Sequence, residues 1–309
     1  MKFFQFSAFV ILLSLIACSK KTVSTIQIQD SQKRELSEAY IQEIEDWRDQ
    51  RFESITSPYG WLSVVGLYWL AEGENRFGSS TNNQIIIPEA SSYIGSITLD
   101  GNDLKFNSFG EAYVTSGDEV FKNGPIQSDE NGKATYFDNQ SFNFHVIKRG
   151  DKYGLRVKNT LARARYELKD IPEFELNADM IFDGIVVPTP IQDSIMINDV
   201  IGTEKMYKIE ALLKFKADKR ERSLLAIDGG KDHYFVIFKD FTTGNKTYGG
   251  GRFLYVKRPA EGSNEIILDF NKAHNPPCAF TDYATCPLPP LQNSLLFLVN
   301  AGEKTLKSH

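Results

Sequence analysis

The stretch Ser141–Ile147 reads SFNFHVI, and Tyr153–Val157 reads YGLRV shortly after it. Apolar and other side chains alternate along both runs, which is the pattern of a strand with one buried face. Similar runs occur at Gln84–Ile87 and Ser96–Leu99, and turn residues such as Asn-Gly pairs fall between the runs. The spacing predicts a mainly β fold, with antiparallel strands in a sandwich or barrel.

The second half of the chain continues the β pattern. A boundary is possible at Lys169–Pro172, so we predict two packed β units, over residues 37–170 and 171–309. The strands predicted for the second unit are Met206–Phe215, Leu224–Ile227, Tyr234–Phe238, Arg252–Val256, Glu265–Phe270 and Leu295–Val299.

One helix is predicted before the strands begin. Ser37 is a suitable N-cap, and Tyr40, Ile44 and Trp47 recur on one face of a helix that runs to Phe52. The turn residues SPYG that follow would end the helix.

The first residues of the chain have the features of an export signal. Lys2 precedes an apolar stretch, Ala8–Ile16, that is too short to span a bilayer as a mature helix. The four residues LIAC that end at Cys18 resemble the bacterial lipobox. The resemblance implies that a signal peptide of residues 1–17 is removed and that a diacylglycerol is attached to Cys18. The alternative is an ordinary signal peptide with an incidental cysteine.

A lipid-anchored protein in the cell envelope follows from this interpretation. Residues 18–36 are polar and would form a flexible tether between the lipid bilayer and the folded units. Ser19, rather than an acidic residue, follows Cys18, which favours the outer membrane over the inner one. We therefore expect the acyl chains to hold the protein on the outer membrane, facing the periplasm.

Charge and motifs exclude several functions. The formal net charge is −5 at pH 7, which, with the export signal, argues against a nucleic-acid partner. The sequence contains no Gly-x-Ser-x-Gly elbow, no Walker loop and no His-Glu-x-x-His helix. We expect no cofactor and no metal, and the remaining partner would be a small molecule or another envelope component.

A proline-rich segment, Leu268–Pro290, concentrates the reactive side chains of the chain. It holds two cysteines, a histidine, two asparagines and two aspartates among five prolines. Proline restricts the backbone, so the segment is predicted to be a rigid irregular loop on which a site could be built.

Cys278 and Cys286 are the only cysteines that remain after lipidation of Cys18. An exported pair is most simply a disulfide that closes a short loop. Two buried thiols are an alternative. A thiolate nucleophile with His274 as its base, or part of a metal site, are the functional alternatives, although the spacing fits no standard zinc pattern.

Several other residues are candidates for a site. Arg252 follows three glycines and could clamp a carboxylate or phosphate, or could simply be the exposed end of a tight turn. If Glu265–Phe270 returns beside Arg252–Val256 as a hairpin, Asp269 lies near Arg252. The catalytic candidates are Arg252, Asp269, His274 and Cys278, and the ligand-binding candidates are Tyr248, Arg252, Asp269, Asn271, Asn275 and Thr281. Loop architecture is the alternative role for each Asp and Asn.

Five blocks together resemble the bacterial family known as domain of unknown function 1684. They are Gly60–Asn75, Lys148–Val157, Thr247–Leu254, the proline-rich segment and Ala301–Lys304. The resemblance extends from about Ser37 to Lys304 and implies no activity, because the family is uncharacterised. His274 departs from the family pattern, where an aromatic residue, usually tyrosine, is expected.

A more local resemblance lies in the first unit. Residues 69–78, WLAEGENRFG, with NNQIII at 82–87, are similar to the opening of a forkhead-associated β-sandwich. Those domains bind phosphothreonine through an arginine after the glycine and a later Ser-x-x-His. Ser79 stands after Gly78 here, and no histidine follows Ser91 or Ser92 at that spacing. The similarity therefore implies a small sandwich rather than phosphopeptide binding.

Two functions are compatible with these features. A ligand-binding or envelope-scaffold lipoprotein is favoured by the β pattern, the anchor signal and the lack of a catalytic motif. An enzyme, such as a hydrolase, with its site around Arg252 and residues 269–286 is the alternative. If Arg252, Asp269, Asn275 and Cys278 line one pocket, the enzyme gains support. If these side chains bond to the backbone instead, the loop is structural.

Overall fold

The computed structural model of the chain describes residues 35–187 and 193–306. The predicted signal peptide, Cys18 and all but the last two residues of the predicted tether lie outside these residues. Within the two ranges, no helix has the length and apolar character needed to cross a membrane.

The predicted N-terminal helix is confirmed as α1, Glu38–Thr56. Ser37 is its N-cap, and the Ser37 hydroxyl accepts a hydrogen bond from the Tyr40 N–H at 3.2 Å. Ile44 and Ile55 are buried, whereas most of the remaining helix surface is polar. The helix therefore has one packed face, and it extends four residues beyond the predicted end at Phe52.

The first β unit is a sandwich of two sheets. One sheet has the strand order β1-β11-β10-β9-β6-β7 and the other has the order β3-β2-β4-β5-β8. All of the pairs are antiparallel except β2–β3. The strands are β1 (Val64–Trp69), β2 (Gly73–Gly78), β3 (Ile85–Ile86), β4 (Gly95–Asp100), β5 (Asp103–Ser108), β6 (Thr115–Ser116), β7 (Glu119–Val120), β8 (Asn123–Pro125), β9 (Phe137–Asn139), β10 (Phe142–Arg149) and β11 (Lys152–Asn159).

Phenylalanine rings fill the space between these two sheets. Phe77, Phe106, Phe137 and Phe144 are fully buried, and the ring centroids of Phe106 and Phe137 are 4.8 Å apart. Alternate residues of β10 point away from this core, which is why His145 lies on the opposite face of its sheet. Arg149, on that opposite face, donates from its Nε to the Thr285 hydroxyl of the second unit.

The second unit is a barrel-like sheet of six antiparallel strands with a separate hairpin. The sheet order is β18-β17-β16-β15-β12-β19, and β13 pairs with β14. A short helix, α2 (Ala164–Glu167), precedes them. The strands are β12 (Ile181–Val187), β13 (Ser194–Asn198), β14 (Glu204–Lys208), β15 (Ala211–Ala217), β16 (Arg220–Asp228), β17 (His233–Phe238), β18 (Arg252–Lys257) and β19 (Glu265–Asp269).

The two edge strands of this sheet, β18 and β19, meet at a seam that almost closes the barrel. The chain beyond β19 completes the closure, because the Phe253 and His274 backbones exchange two hydrogen bonds of 2.8 and 3.0 Å. Leu213, Phe215 and Leu268 fill the interior. A second apolar cluster, which includes Ile227 and Ile237, packs outside the wall formed by β16, β17 and β18. The predicted mainly antiparallel β fold, in two packed units after one helix, is therefore confirmed.

Two predictions about strands in the second unit are wrong. The β18–β19 hairpin does not form, because β18 pairs with β17 whereas β19 pairs with β12. The single strand predicted over Met206–Phe215 is two strands, since Ile209 and Glu210 direct their N–H groups to Asp193 and Ala226 and thereby move the chain from one sheet to the other.

The predicted last strand, Leu295–Val299, is also absent. Ser294 forms an isolated bridge with Lys239, and the chain that follows is irregular. Leu295 and Phe297 still share backbone hydrogen bonds with Lys239 and Phe241. The backbone groups of Val299 bond to side chains instead: its N–H donates to Asp240, and its carbonyl accepts from Arg252. These groups are therefore unavailable to a neighbouring strand.

The turn before Arg252 depends on glycine at position 251. Gly251 has a φ of +83°, and a Cβ at this position would lie 2.6 Å from the Phe238 carbonyl oxygen and would collide with the Pro289 ring. We expect Gly251→Ala to lower the free energy of unfolding by about 2–4 kcal/mol, because it combines backbone strain with overpacking. Urea denaturation measures the change.

Gly249→Ala is the matched control for this substitution. Its Cβ would meet nothing closer than the Gly244 Cα at 3.9 Å, so a change below about 1 kcal/mol is expected. Equal losses for the two variants would show that the close approach at Gly251 does not limit stability.

Candidate functional site

Arg252 is a fully buried structural residue. Its Nη2 donates to the Asp240 carboxylate at 3.0 Å and to the Val299 carbonyl at 2.9 Å, and its Nη1 donates to the Ala301 carbonyl at 2.5 Å. Both Arg252 and Asp240 have no exposed side-chain surface. The expected ion pair with Asp269 is not formed, because Asp240 takes that place. Arg252 thus binds the protein's own backbone and has no surface with which to contact a ligand.

Glu303 connects this buried centre to α1. One carboxylate oxygen accepts from the Arg51 Nε at 2.9 Å, and the other accepts from the Asn275 N–H at 2.7 Å. Arg51 also donates to the Asn275 carbonyl at 2.8 Å. Beside it, Arg48 forms an ion pair with Glu173. The helix is therefore held on the barrel by two arginines, and the block Ala301–Lys304 serves this attachment.

The polar residues of the proline-rich segment bond mainly to neighbouring chain. Asn275 donates its side-chain amide to the Lys304 carbonyl, and Asn271 donates to the Asn177 carbonyl. The Thr281 hydroxyl donates to the Val64 carbonyl, which ties the segment to the first unit. Tyr248 is half-buried and its carbonyl accepts from the N–H of Gly251. These four candidates therefore make architectural contacts.

Cys278 and Cys286 form a disulfide, with their Cα atoms 6.1 Å apart. Cys286 is buried and both cysteines pack against the apolar cluster outside the barrel wall. In this state neither sulfur is a thiolate, and the bridge closes the loop against the barrel. Among the described residues, no group of three or more His, Cys, Asp or Glu side chains is placed to hold a metal ion.

A cleft lies where the first turns of α1 cover the seam between β18 and β19. We call it the helix cleft, and its volume is about 560 Å³. Two of the catalytic candidates, Asp269 and His274, line it together. The other side chains that the sequence had not assigned to a site include Tyr40, Trp47, Tyr255, Lys257 and Ile267.

His274 forms the aromatic wall of the helix cleft. Its ring stacks on Tyr255 at 5.8 Å with an interplanar angle of 7°, and the Trp47 ring lies at 6.0 Å. The Nδ1 atom is 3.1 Å from the Lys272 carbonyl. Burial lowers the pKa of His274 to about 3, and the Arg51 charge acts in the same direction. The imidazole is therefore neutral at pH 7.

Asp269 and Tyr40 form the polar wall. The Tyr40 hydroxyl lies 3.1 and 3.0 Å from the two Asp269 carboxylate oxygens, and it accepts a hydrogen bond from the Asn271 amide at 3.0 Å. Burial raises the pKa of Asp269. Burial, followed by the nearby Asp269 carboxylate, raises the pKa of Tyr40. The phenol is therefore a hydrogen-bond donor throughout the physiological pH range.

The sequence had indicated two members of the helix cleft but not the surface that completes it. Tyr40 and Trp47 were assigned only to the packed face of α1, and Tyr255 lies in a strand with no unusual feature. Tyr40 and Asp269 are 229 residues apart. The signal in the sequence was the shared face of Tyr40 and Trp47, which required a partner surface that the sequence did not identify.

The neutral His274 makes stability depend on pH. An unfolded histidine binds a proton near pH 6.5, whereas His274 in the folded protein does so near pH 3. The unfolded state therefore binds more protons between these values, and the free energy of unfolding falls as the pH is lowered from about 6.5 towards 3. At pH 5 the loss from this residue is about 2 kcal/mol.

His274→Phe keeps an aromatic ring and removes the titrating group. Between pH 7 and pH 5, we expect the free energy of unfolding of the wild type to fall by about 2 kcal/mol more than that of His274→Phe. Urea denaturation at several pH values measures this slope. His233→Phe is the control, because His233 is exposed. A slope for His274→Phe that matches the wild type would show that the buried ring does not carry the effect.

Comparisons with other proteins indicate a family but no activity. No curated protein matches the chain. The solution NMR structure of the uncharacterized protein from gene locus rrnAC0354 of Haloarcula marismortui is 32% identical, covers 47% of this chain and 81% of that chain, and has a TM-score of 0.39. Residues 166–304 match the model of the family described as "Protein of unknown function (DUF1684)", so the blocks at Gly60–Asn75 and Lys148–Val157 lie before the matched range. The predicted membership is confirmed: the chain belongs to the DUF1684 family.

Proposed function

We propose that this protein is a lipid-anchored binding protein and that its ligand is a small, ring-bearing organic molecule held in the helix cleft. The observation that carries the proposal is the convergence of a flat aromatic wall and the half-buried Asp269 carboxylate in one cavity of about 560 Å³. Cavities of this size, lined by aromatic side chains and a few polar groups, are typical of small-molecule sites.

The aromatic wall favours a ligand with a flat or weakly polar face. The parallel rings of Tyr255 and His274 are continuous with the Phe235 ring, which stacks on Tyr255 at 4.9 Å. Tyr255 remains 49% exposed in the present arrangement, so a ligand can contact it. Stacking on such a surface requires no charge on the ligand.

The polar wall favours a ligand with a hydrogen-bond donor on its rim. Asp269 presents carboxylate oxygens that already accept from Tyr40 and from the Asn271 N–H. A further hydroxyl or amine of the ligand could donate to the same carboxylate. Lys257 and the Lys272–Glu43 pair lie at the edge of the cleft and add charges of both signs. A hydroxylated ring, such as a sugar, combines both requirements.

The anchor proposed for Cys18 complements this site. Glu35 and Leu36, the last two residues of the predicted tether, line the cleft together with Ser37. The seventeen residues between Cys18 and Leu36 span at most about 60 Å when extended. Acylation of Cys18 would therefore keep the cleft within that distance of the outer membrane, on its periplasmic side.

The second candidate function is that of an enzyme, and one observation supports it. Asp269, with a raised pKa, and His274, which is neutral at pH 7, lie in the same cleft, and perturbed groups of this kind are frequent in active sites. Any catalytic site would then be the helix cleft rather than the surroundings of Arg252. Turnover of a bound compound separates an enzyme from a binding protein.

The anchor is tested by mass spectrometry of the protein in its membrane fraction. We expect a chain that begins at Cys18 and carries the mass of a diacylglycerol, and we expect Cys18→Ser to abolish both changes. Ser19→Ala is the control and should remain lipidated. Detection of an intact Met1 in the membrane fraction would refute the anchor without affecting the proposed ligand site.

The ligand is tested with a panel of monosaccharides and aromatic acids, by saturation-transfer NMR and thermal shift on the full chain. We expect at least one compound to bind, and Tyr255→Leu and Asp269→Asn to weaken it by about tenfold or more. Each bound compound is then examined for turnover.

Tyr113→Leu is the matched control, because Tyr113 is 68% exposed and lies in the first unit. It should leave binding unchanged. The proposal fails if no compound of the panel binds, or if binding survives both Tyr255→Leu and Asp269→Asn.

A further inference from the structure

A second polar cluster lies on the face of the first unit that is turned towards the barrel. Leu155 and Val157 of β11 point into the sandwich core, so Arg156 between them points to the opposite face. His145 is its direct partner on β10. Arg156 and His145 are 5% and 4% exposed. The cluster is therefore a buried polar patch outside the phenylalanine core.

The hydrogen-bonding atoms of this patch lack partners. Arg156 Nε and Nη2 and His145 Nδ1 are buried and have no hydrogen-bond partner among the described residues, and the same holds for Asn143 Oδ1 two residues before His145. Buried polar atoms are normally paired, because leaving them unpaired carries a desolvation penalty. Four such atoms on one face are a concentration that packing alone does not explain.

The two free nitrogens of Arg156 form one functional edge. Nε and Nη2 present parallel N–H groups, which is the geometry that binds the two oxygens of a carboxylate or phosphate. The flat face of the guanidinium lies over the Trp61 ring, with the Cζ atom 5.3 Å from the ring centroid. The side chain is therefore held against Trp61, and its bidentate edge is buried without a hydrogen-bond partner among the described residues.

Neighbouring carboxylates do not neutralise Arg156. Asp129 pairs with Arg149, and Glu130 pairs with Lys148. Lys158, two residues after Arg156, donates to the Tyr59 carbonyl and adds a second positive charge. Burial, followed by the Arg149 charge, lowers the pKa of Arg156 to about 10, so the guanidinium stays protonated at pH 7. Asp129 also acts on Arg156, but the positive charges of Arg156, Arg149 and Lys158 outnumber this carboxylate.

We propose that this patch is an oxyanion site, in which the Nε and Nη2 edge of Arg156 binds the carboxylate or phosphoryl group of a small molecule. His145, opposite Arg156 in the register, would give a further hydrogen bond. The Tyr136 ring, which is 48% exposed, lies 4.8 Å from the His145 ring at an interplanar angle of 42°, and a ligand would enter by displacing it, because Nε and Nη2 of Arg156 are buried. No residue of this site lines the helix cleft, so the proposal is independent of the ligand proposed there.

Arg252 shows how this fold treats an arginine whose role is structural. That guanidinium is also buried and its Nε likewise lacks a partner, but Asp240 neutralises its charge and the carbonyls of Val299 and Ala301 accept hydrogen bonds from it. Arg156 has the same burial without these partners. The difference between the two arginines favours a ligand for Arg156.

The test is a titration of the full chain with sodium phosphate and, separately, with sodium acetate at constant ionic strength. The readouts are the NMR signal of the Arg156 Nε–H group and the thermal midpoint. We expect the signal to shift saturably with at least one anion. Arg156→Met should weaken that anion at least about tenfold, because a charge-assisted bidentate pair is lost. Stronger binding of phosphate than of acetate would indicate a phosphoryl ligand, and stronger binding of acetate would indicate a carboxylate ligand.

Arg258→Met is the matched control. The Arg258 guanidinium also lies over a ring, Tyr234 at 4.3 Å, but Asp228 and Glu210 accompany it. This variant should bind the anion as the wild type does. If Arg156→Met does not fold, Arg156→Lys replaces it. A second measurement leaves Arg156 unchanged: in a chain with Trp47→Phe and Trp69→Phe, the fluorescence of Trp61 reports anion binding.

Two results would overturn the proposal. One is an Arg156 Nε–H signal that neither anion moves, which would mean that ordered water alone satisfies the patch. The other is anion binding that is equal in the wild type, Arg156→Met and Arg156→Lys, which would place it elsewhere. Neither result bears on the helix cleft.

Discussion

The buried pair of Arg252 and Asp240 is the interaction on which the barrel depends. Both side chains are fully removed from solvent, so their charges lose hydration that only well-placed partners can replace. Arg252 finds these partners in Asp240 and in the carbonyls of Val299 and Ala301. Removing one member of such a pair typically costs about 3–5 kcal/mol, which is a large share of the stability of an ordinary domain.

This centre also explains why the C-terminal blocks occur together in the sequence. The Gly249–Arg252 turn supplies the guanidinium, and the irregular chain up to Glu303 supplies the carbonyls that it binds. Glu303 then attaches Arg51 of α1 and the backbone of Asn275. Gly302, with a φ of +74°, allows the chain to pass close to the Ala273 and Phe270 carbonyls. The blocks therefore describe one joint of the fold.

The position of the candidate ligand site follows from this joint. Because Arg51 and Arg48 hold α1 on the barrel, the earlier turns of the helix lie across the seam between β18 and β19. Tyr40 and Trp47 then face Asp269 and His274 across a cavity. The residues of the proline-rich segment that looked reactive have mostly structural partners. Asp269 and His274 also bond within the fold, but their side chains line the cleft. Structural and candidate functional roles are thus separated within one loop.

The two units differ in how they use buried positive charge. In the second unit, Arg252 is neutralised and organises the backbone. In the first unit, Arg156 is buried beside Trp61 with two guanidinium nitrogens unpaired. A protein seldom retains an unpaired buried charge without a role for it. This contrast is why we propose a ligand for Arg156 in addition to the one proposed for the helix cleft.

Local sequence patterns determined the class of the fold. The alternation at Ser141–Ile147, the N-cap at Ser37 and the glycine-rich turn before Arg252 each act over a few residues, and the structure has the corresponding strand, helix and turn. Tertiary structure decided which of these elements meet. Tyr40 contacts Asp269 across 229 residues, and Arg252 selects Asp240 over Asp269 because β19 pairs with β12 rather than with β18. Strand pairing between distant segments leaves no periodic trace in either segment, so the cleft and the unpaired Arg156 emerge only when the sheets are assembled.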